Sequence, residues 1–251
     1  MPIELASSGI KELDKLLGGG VPRGTQILLE ADTGTGSLLF IEKWLYEGVQ
    51  QKEVCFLYSF DHSAETILQK FEGFGIIQKE LFKMGKLIDF WTKGEEYVRD
   101  FSKSIITIGE PTNINRVMDI IYGVWQDYRD NFETNRRNRK ALVRSATYSL
   151  STIVMTFGFE KTYKLSKEIT QISKVENGIT IDVIGTKMHL DREIASFEHF
   201  YDAVVRLEIE EIDGELKRHM RVKKSPIFDH ETKRVPYDFK KNDIVFLKSP
   251  K

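Results

Sequence analysis

The sequence predicts an α/β protein: a mostly parallel sheet flanked by helices, with an antiparallel hairpin extension at the C-terminal end. Two observations carry this. After residue 25, short apolar and β-branched runs alternate with stretches of helical periodicity, which is how successive βαβ units read in sequence. Past Asp191 the alternation gives way to two long strand-like runs about the turn Asp213-Gly214. At 251 residues the chain can bury a core without disulfides or metals. A single domain over 1–251 is expected, with a leading segment over 1–24, a βαβ core over 25–190 and C-terminal strands over 191–251.

Each element has its own signal. Residues 26–30 and 53–60 are apolar runs of strand length. Between them Leu38, Ile41 and Leu45 space out one face of a helix over 38–49. A helix over 64–74 and a strand over 87–90 follow. The clearest helix is 113–129, where Val117, Ile120, Ile121, Val124, Trp125 and Tyr128 share a face. A strand over 141–145 and one helix over 151–174 come next. Asn177-Gly178 supplies a helix exit before a strand over 179–188. The hairpin pairs 203–211 with 215–224, and a second short pair is expected about Lys241-Asn242. The aromatic residues Phe71, Phe74, Phe82, Phe90 and Trp91 are expected in the core.

Composition excludes some functions. With 37 basic and 38 acidic residues the formal net charge is −1, so no global field favours nucleic acid or an anionic membrane. The one cysteine, Cys55, lies in an apolar run and reads as a buried thiol rather than a nucleophile. No apolar stretch approaches 18 residues and no basic segment leads into an apolar one at the start, so a cytoplasmic protein without membrane contact is expected.

The most informative segment is Ala31-Asp32-Thr33-Gly34-Thr35-Gly36-Ser37-Leu38. A functional phosphate loop reads G-x-x-x-x-G-K-S/T: its N–H groups cradle phosphates, its Lys neutralises charge and its hydroxyl ligates magnesium. Here Ser37 stands at the Lys position and Leu38 at the hydroxyl position, although the strand before and the helix after fit a loop of this kind. Thr33, Gly34, Thr35, Gly36 and Ser37 therefore form a remnant phosphate loop, read either as a residual anion site or as a structural turn.

Ahead of the loop, residues 8–24 (SGIKELDKLLGGGVPRG) resemble the segment that precedes the phosphate loop in KaiC-like members of the RecA superfamily. Residues 54–63 and Ala203-Val204-Val205-Arg206-Leu207 resemble two later strands of that family. The resemblance implies a RecA-like sheet, an archaeal origin and a role in signal transduction. It also implies where the active family keeps its chemistry. Asp61 and His62 match the pair of glutamates that activates water. In this alignment Arg144 replaces a metal-orienting Asp at a strand end, and Lys224 is the sole match to a Lys-x-Arg acting on a neighbouring subunit, Pro226 standing at the Arg.

These substitutions lead to the expectation of an inactivated ATPase that binds a protein or peptide, needs no cofactor beyond weak residual ATP or ADP binding, holds no metal, and is a monomer or dimer rather than a hexamer. Two rivals remain: an atypical active ATPase using Arg144, Asp61 and Lys224, and a recombinase paralogue that binds DNA without hydrolysis through the basic run 135–140. Plainer readings stand beside the sharp ones. Asp61 and His62 can be a turn capped by Ser63, Arg144 can pair with a carboxylate such as Asp61, His189 has no metal-spaced partner, and the basic run can be a solvated helix end.

Overall fold

Central strands of this chain are apolar on both faces, as a parallel sheet covered on both sides requires. The computed structural model describes residues 4–73, 85–92, 103–133, 142–227, 230–241 and 243–247. A small sheet pairs β1 (Leu5–Ala6) with β2 (Val21–Pro22) around helix α1 (Lys11–Leu16). The main elements then run β3 (Gln26–Ala31), α2 (Ser37–Gln50), β4 (Val54–Ser59), α3 (Ala64–Gly73), β5 (Lys86–Asp89), β6 (Ile105–Thr107), α4 (Ile114–Tyr128), β7 (Val143–Tyr148), α5 (Leu150–Phe157), α6 (Phe159–Val175), β8 (Ile179–Gly185), α7 (Asp191–Phe200), β9 (Ala203–Ile212), β10 (Glu215–Lys224), β11 (Val235–Lys240) and β12 (Asp243–Phe246).

One ten-stranded sheet has the order β12-β11-β10-β9-β3-β8-β7-β4-β5-β6. From β9 to β6 neighbouring strands are parallel, and β10, β11 and β12 add antiparallel pairs. On one face Ile27, Leu29, Leu57 and Ala146 join Phe40, Ile41, Trp44 and Leu45 of α2 in a single core. On the other, Leu28, Phe56 and Tyr58 meet Trp125 and Tyr128 of α4, Phe197 of α7 and Tyr201 just beyond it. Each such fully buried large apolar side chain contributes about 1.5–3 kcal/mol.

The α/β architecture with its C-terminal hairpin is the one expected. Three local differences matter. Gly158, at φ +87°, divides the single helix expected over 151–174 into α5 and α6. Helix α7 and strand β6 were not foreseen. Above all, β7 begins later and runs further than residues 141–145, because its polar residues Arg144 and Ser145 are buried with partners rather than marking a strand end. Phe71 and Phe90 are buried, Trp91 is 57% exposed, and Phe74, Phe82, Asn242 and the basic run 135–140 lie outside the described residues.

Candidate functional site

The carboxyl ends of β3, β7, β8 and β4 converge on a cleft of about 380 Å³, where ligands bind in open parallel sheets. Its floor is the loop between β3 and α2. Gly34 and Gly36 take φ of +87° and +72°. At Gly36 the requirement is steric as well: a Cβ there would lie 2.3 Å from the Phe239 ring, which packs against the loop from β11. Tyr237 donates to the Thr35 carbonyl at 2.7 Å and Arg218 Nε to the Gly34 carbonyl at 2.9 Å. The C-terminal strands thus brace the loop from outside.

Inside the loop, the Thr35 hydroxyl donates to the Asp32 carbonyl at 2.6 Å and the Thr35 N–H to the same oxygen at 3.3 Å. Thr35 is therefore turned inward and fully buried, rather than offering its N–H to an anion as the sequence suggested. Asp32 is held by Thr186 Oγ1 at 2.7 Å, Arg206 at 3.2 Å and Lys187 at 3.3 Å. Burial alone would raise its carboxyl, but that hydroxyl and the two cations outweigh it and hold it below its ordinary value.

Ser37 opens α2 and Leu38 follows it, largely buried at 8% exposure. Facing them, β7 ends at Tyr148, whose hydroxyl is 3.5 Å from Ser37 Oγ. Tyr148-Ser149, not Arg144-Ser145, is thus the residue pair at the strand end where the resemblance places an Asp followed by Ser. Burial pushes the Tyr148 phenol up, with Asp61 and Glu42 adding to the effect against the Ser37 contact. The His62 ring stacks on Tyr148 with centroids 5.7 Å apart, and its Nε2 lies 3.3 Å from Lys70 Nζ. Burial and Lys70 hold His62 below its usual value, against the pull of Asp61.

Asp61 does line the cleft. Its Oδ1 accepts the Ser149 N–H at 3.2 Å and the Thr152 hydroxyl at 2.5 Å, and its Oδ2 accepts the Ser149 hydroxyl at 2.8 Å. Ser63 caps α3 by accepting the Thr66 N–H at 3.1 Å, as the plainer reading held. His189 lies 2.9 Å from the Ser151 hydroxyl.

Two expected site residues lie elsewhere. Arg144 is fully buried toward the amino end of β7, where Nε donates to Glu53 Oε2 at 2.5 Å and Nη1 to the Trp44 carbonyl at 3.0 Å. It pairs with Glu53 and not with Asp61. Glu53 also accepts from Arg23 at 2.5 Å. Gly48 makes room for this arginine, since a Cβ there would lie 2.8 Å from Arg144 Cδ. The misplacement has a plain cause: an arginine after an apolar run looks like a strand end, and only a carboxylate distant in sequence makes it a strand interior. Lys224 is likewise turned inward. Its ammonium donates to the carbonyls of Glu198, His199 and Tyr201 at 3.0, 3.1 and 2.6 Å, capping the carboxyl end of α7.

Glu42, in α2 behind the cleft, is a buried acid the sequence did not single out. It is fully buried, neither carboxylate oxygen makes a hydrogen bond, and burial pushes it up to about 8 against Lys70 and Lys43. A glutamate at a core-facing position of an apolar helix was the available signal. The sequence also missed Tyr148, whose aromatic character concealed its place at the strand end.

The residues of the cleft suit a magnesium nucleotide poorly. Among the described residues no cation lines it, Leu38 and Tyr148 stand where the resemblance places a metal's hydroxyl and carboxylate ligands, and Asp61 adds negative charge. The ancestry is nonetheless plain from comparison. A family model described as "ATPase: KaiC" matches residues 6–251. The chain belongs to the KaiC-like ATPase family. It is 25% identical to a UPF0273 protein of Pyrococcus furiosus, over 97% of this chain and 94% of that one. Identity to a UPF0273 protein of Methanocaldococcus jannaschii is 27%, over 95% and 94%. The crystal structure of a KaiC-like protein from Pyrococcus horikoshii superposes with a TM-score of 0.73 at 22% identity, covering 98% of this chain and all of that one, which shows a shared fold. Among the described residues of this KaiC-like chain, no helix is long and apolar enough to cross a membrane.

Proposed function

We propose that this KaiC-like chain does not hydrolyse ATP and acts as a regulatory or signal-transduction module by binding another protein. The observation that carries the reading is the cleft lining: Ser37, Leu38 and Tyr148 where charge and metal would be managed, and no cation among the lining residues. Phosphoryl transfer depends almost wholly on positioning and charge stabilisation. Each charge-assisted contact is worth about 1.5–3 kcal/mol, so losing several together removes turnover. The inward turn of Lys224 supports the same reading, because a cation holding three carbonyls is not free to reach a neighbouring subunit. It also favours a monomer or dimer over a nucleotide-bridged ring. The testing experiment is calorimetric titration with ATP and ADP, with and without Mg²⁺, followed by a phosphate-release assay. No heat at millimolar nucleotide and no phosphate are expected. Magnesium-dependent binding with release that Asp61→Ala abolishes would replace this reading with an atypical ATPase.

A further inference from the structure

We infer that the Asp61 end of the cleft is a socket for a lysine or arginine side chain of a partner protein. This deepens the protein-binding reading and rests on it. The cleft has two acids, and they are treated differently. Asp32 is neutralised by Arg206 and Lys187. Asp61 is fixed by three donors that carry no charge, the Ser149 N–H and the hydroxyls of Ser149 and Thr152. Among the described residues no cation lies within ion-pair distance of it. A carboxylate offers about four lone-pair sites, so three donors orient Asp61 and leave an acceptor for a ligand.

The walls suit the stem of a long basic side chain. Leu38 and Val183 present aliphatic surface, and Met188, 54% exposed at the mouth, is a flexible apolar side chain that adapts to its occupant. Lysine and arginine bury such stems along apolar surface while keeping the charged head with polar partners. The hydroxyl of Tyr148, also in the lining, accepts one of the head's remaining N–H groups. At the other end of the cleft, the amino terminus of α2 favours negative charge, which suits a backbone carbonyl of the same partner segment. A volume of about 380 Å³ has room for one side chain and part of its backbone.

The test is an NMR titration of the full-length protein with Nα-acetyl-lysine amide, with Nα-acetyl-norleucine amide and inorganic phosphate as controls. The lysine amide should shift the backbone amides of Ser149, Thr152 and Met188 saturably and bind at least tenfold more tightly than the norleucine amide. Asp61→Asn should abolish that preference. Ser37→Lys, which introduces a competing cation beside Tyr148 and leaves Asp61 in place, should abolish it too and decides the matter if Asp61→Asn does not fold. Equal shifts from norleucine amide, retention of the preference in either folded variant, or tighter binding of phosphate at the same amides would overturn the socket. A parallel ATP titration separates the two readings. A silent ATP titration with no lysine preference removes the socket and leaves the non-hydrolysing reading standing, whereas Mg²⁺-dependent ATP binding removes both.

Discussion

The two ends of β7 treat charge in opposite ways. Arg144 and Tyr148 point to the same face of the sheet, four residues and roughly 13 Å apart. At the amino end, Arg144 is enclosed between Glu53, the Trp44 ring at 4.6 Å and the Trp44 carbonyl, and Glu53 is shared with Arg23. There each charge meets an opposite one. At the carboxyl end Asp61 receives hydrogen bonds from neutral groups alone, beside a tyrosine and a histidine. A buried ion pair contributes little net stability, but breaking one is costly, so the amino end constrains the fold. At the carboxyl end, among the described residues, Asp61 has no counter-charge, which the proposed socket requires and a core does not.

The largest expected effect comes from breaking the closed end. Glu53→Ala leaves Arg144 buried beside Arg23 without a counter-charge, and should cost about 3–5 kcal/mol in urea denaturation. A loss below 1 kcal/mol would mean that the amino end is not held by charge and would erase the contrast.

The second effect is pH-dependent and lies near the open end. Glu42 has a folded pKa of about 8 against an ordinary 4.5. Its burial therefore favours the protonated form. The favourable contribution is complete below pH 4.5 and is lost as the pH rises through 8. Glu42→Gln should raise the melting temperature at pH 8.5, by on the order of 2–4 kcal/mol in stability, and leave it nearly unchanged at pH 4.5. Equal effects at both pH values would show that Glu42 does not titrate in this range.

The smallest effect sharpens the picture of Tyr148. Its hydroxyl contact with Ser37 is long, at 3.5 Å, so Tyr148→Phe should change stability by less than about 1 kcal/mol. Its consequence should appear in the lysine-amide titration, as weaker binding. A larger stability loss would mean that the hydroxyl serves the fold and not a ligand.

Much of this was legible in the linear chain. The apolar face of α4, the loop with Gly34 and Gly36 and the turn at Asp213-Gly214 all follow from local periodicity and local stereochemistry, while the placing of Asp61 beside the cleft follows from the family resemblance. What failed were assignments that depend on partners distant in sequence. In the linear pattern Arg144 looks like a strand end because its counter-charge, Glu53, is 91 residues away. Lys224 looks outward-reaching because the carbonyls that hold it belong to α7, a helix that the sequence pattern does not reveal. Tyr148 escaped notice because a tyrosine in a strand ordinarily signals packing.

The sequence by itself determined the α/β class, the alternation of strands and helices, and the glycine-containing loop between β3 and α2 that Ser37 and Leu38 follow. These are consequences of side-chain period and backbone conformation, which a chain carries wherever it folds. Only the tertiary structure decided which charges are closed and which are open. It turned Lys224 onto α7, sealed Arg144 against Glu53 and brought Tyr148 to Ser37, because electrostatic pairing depends on distance in space and the sheet sets that distance by its strand order.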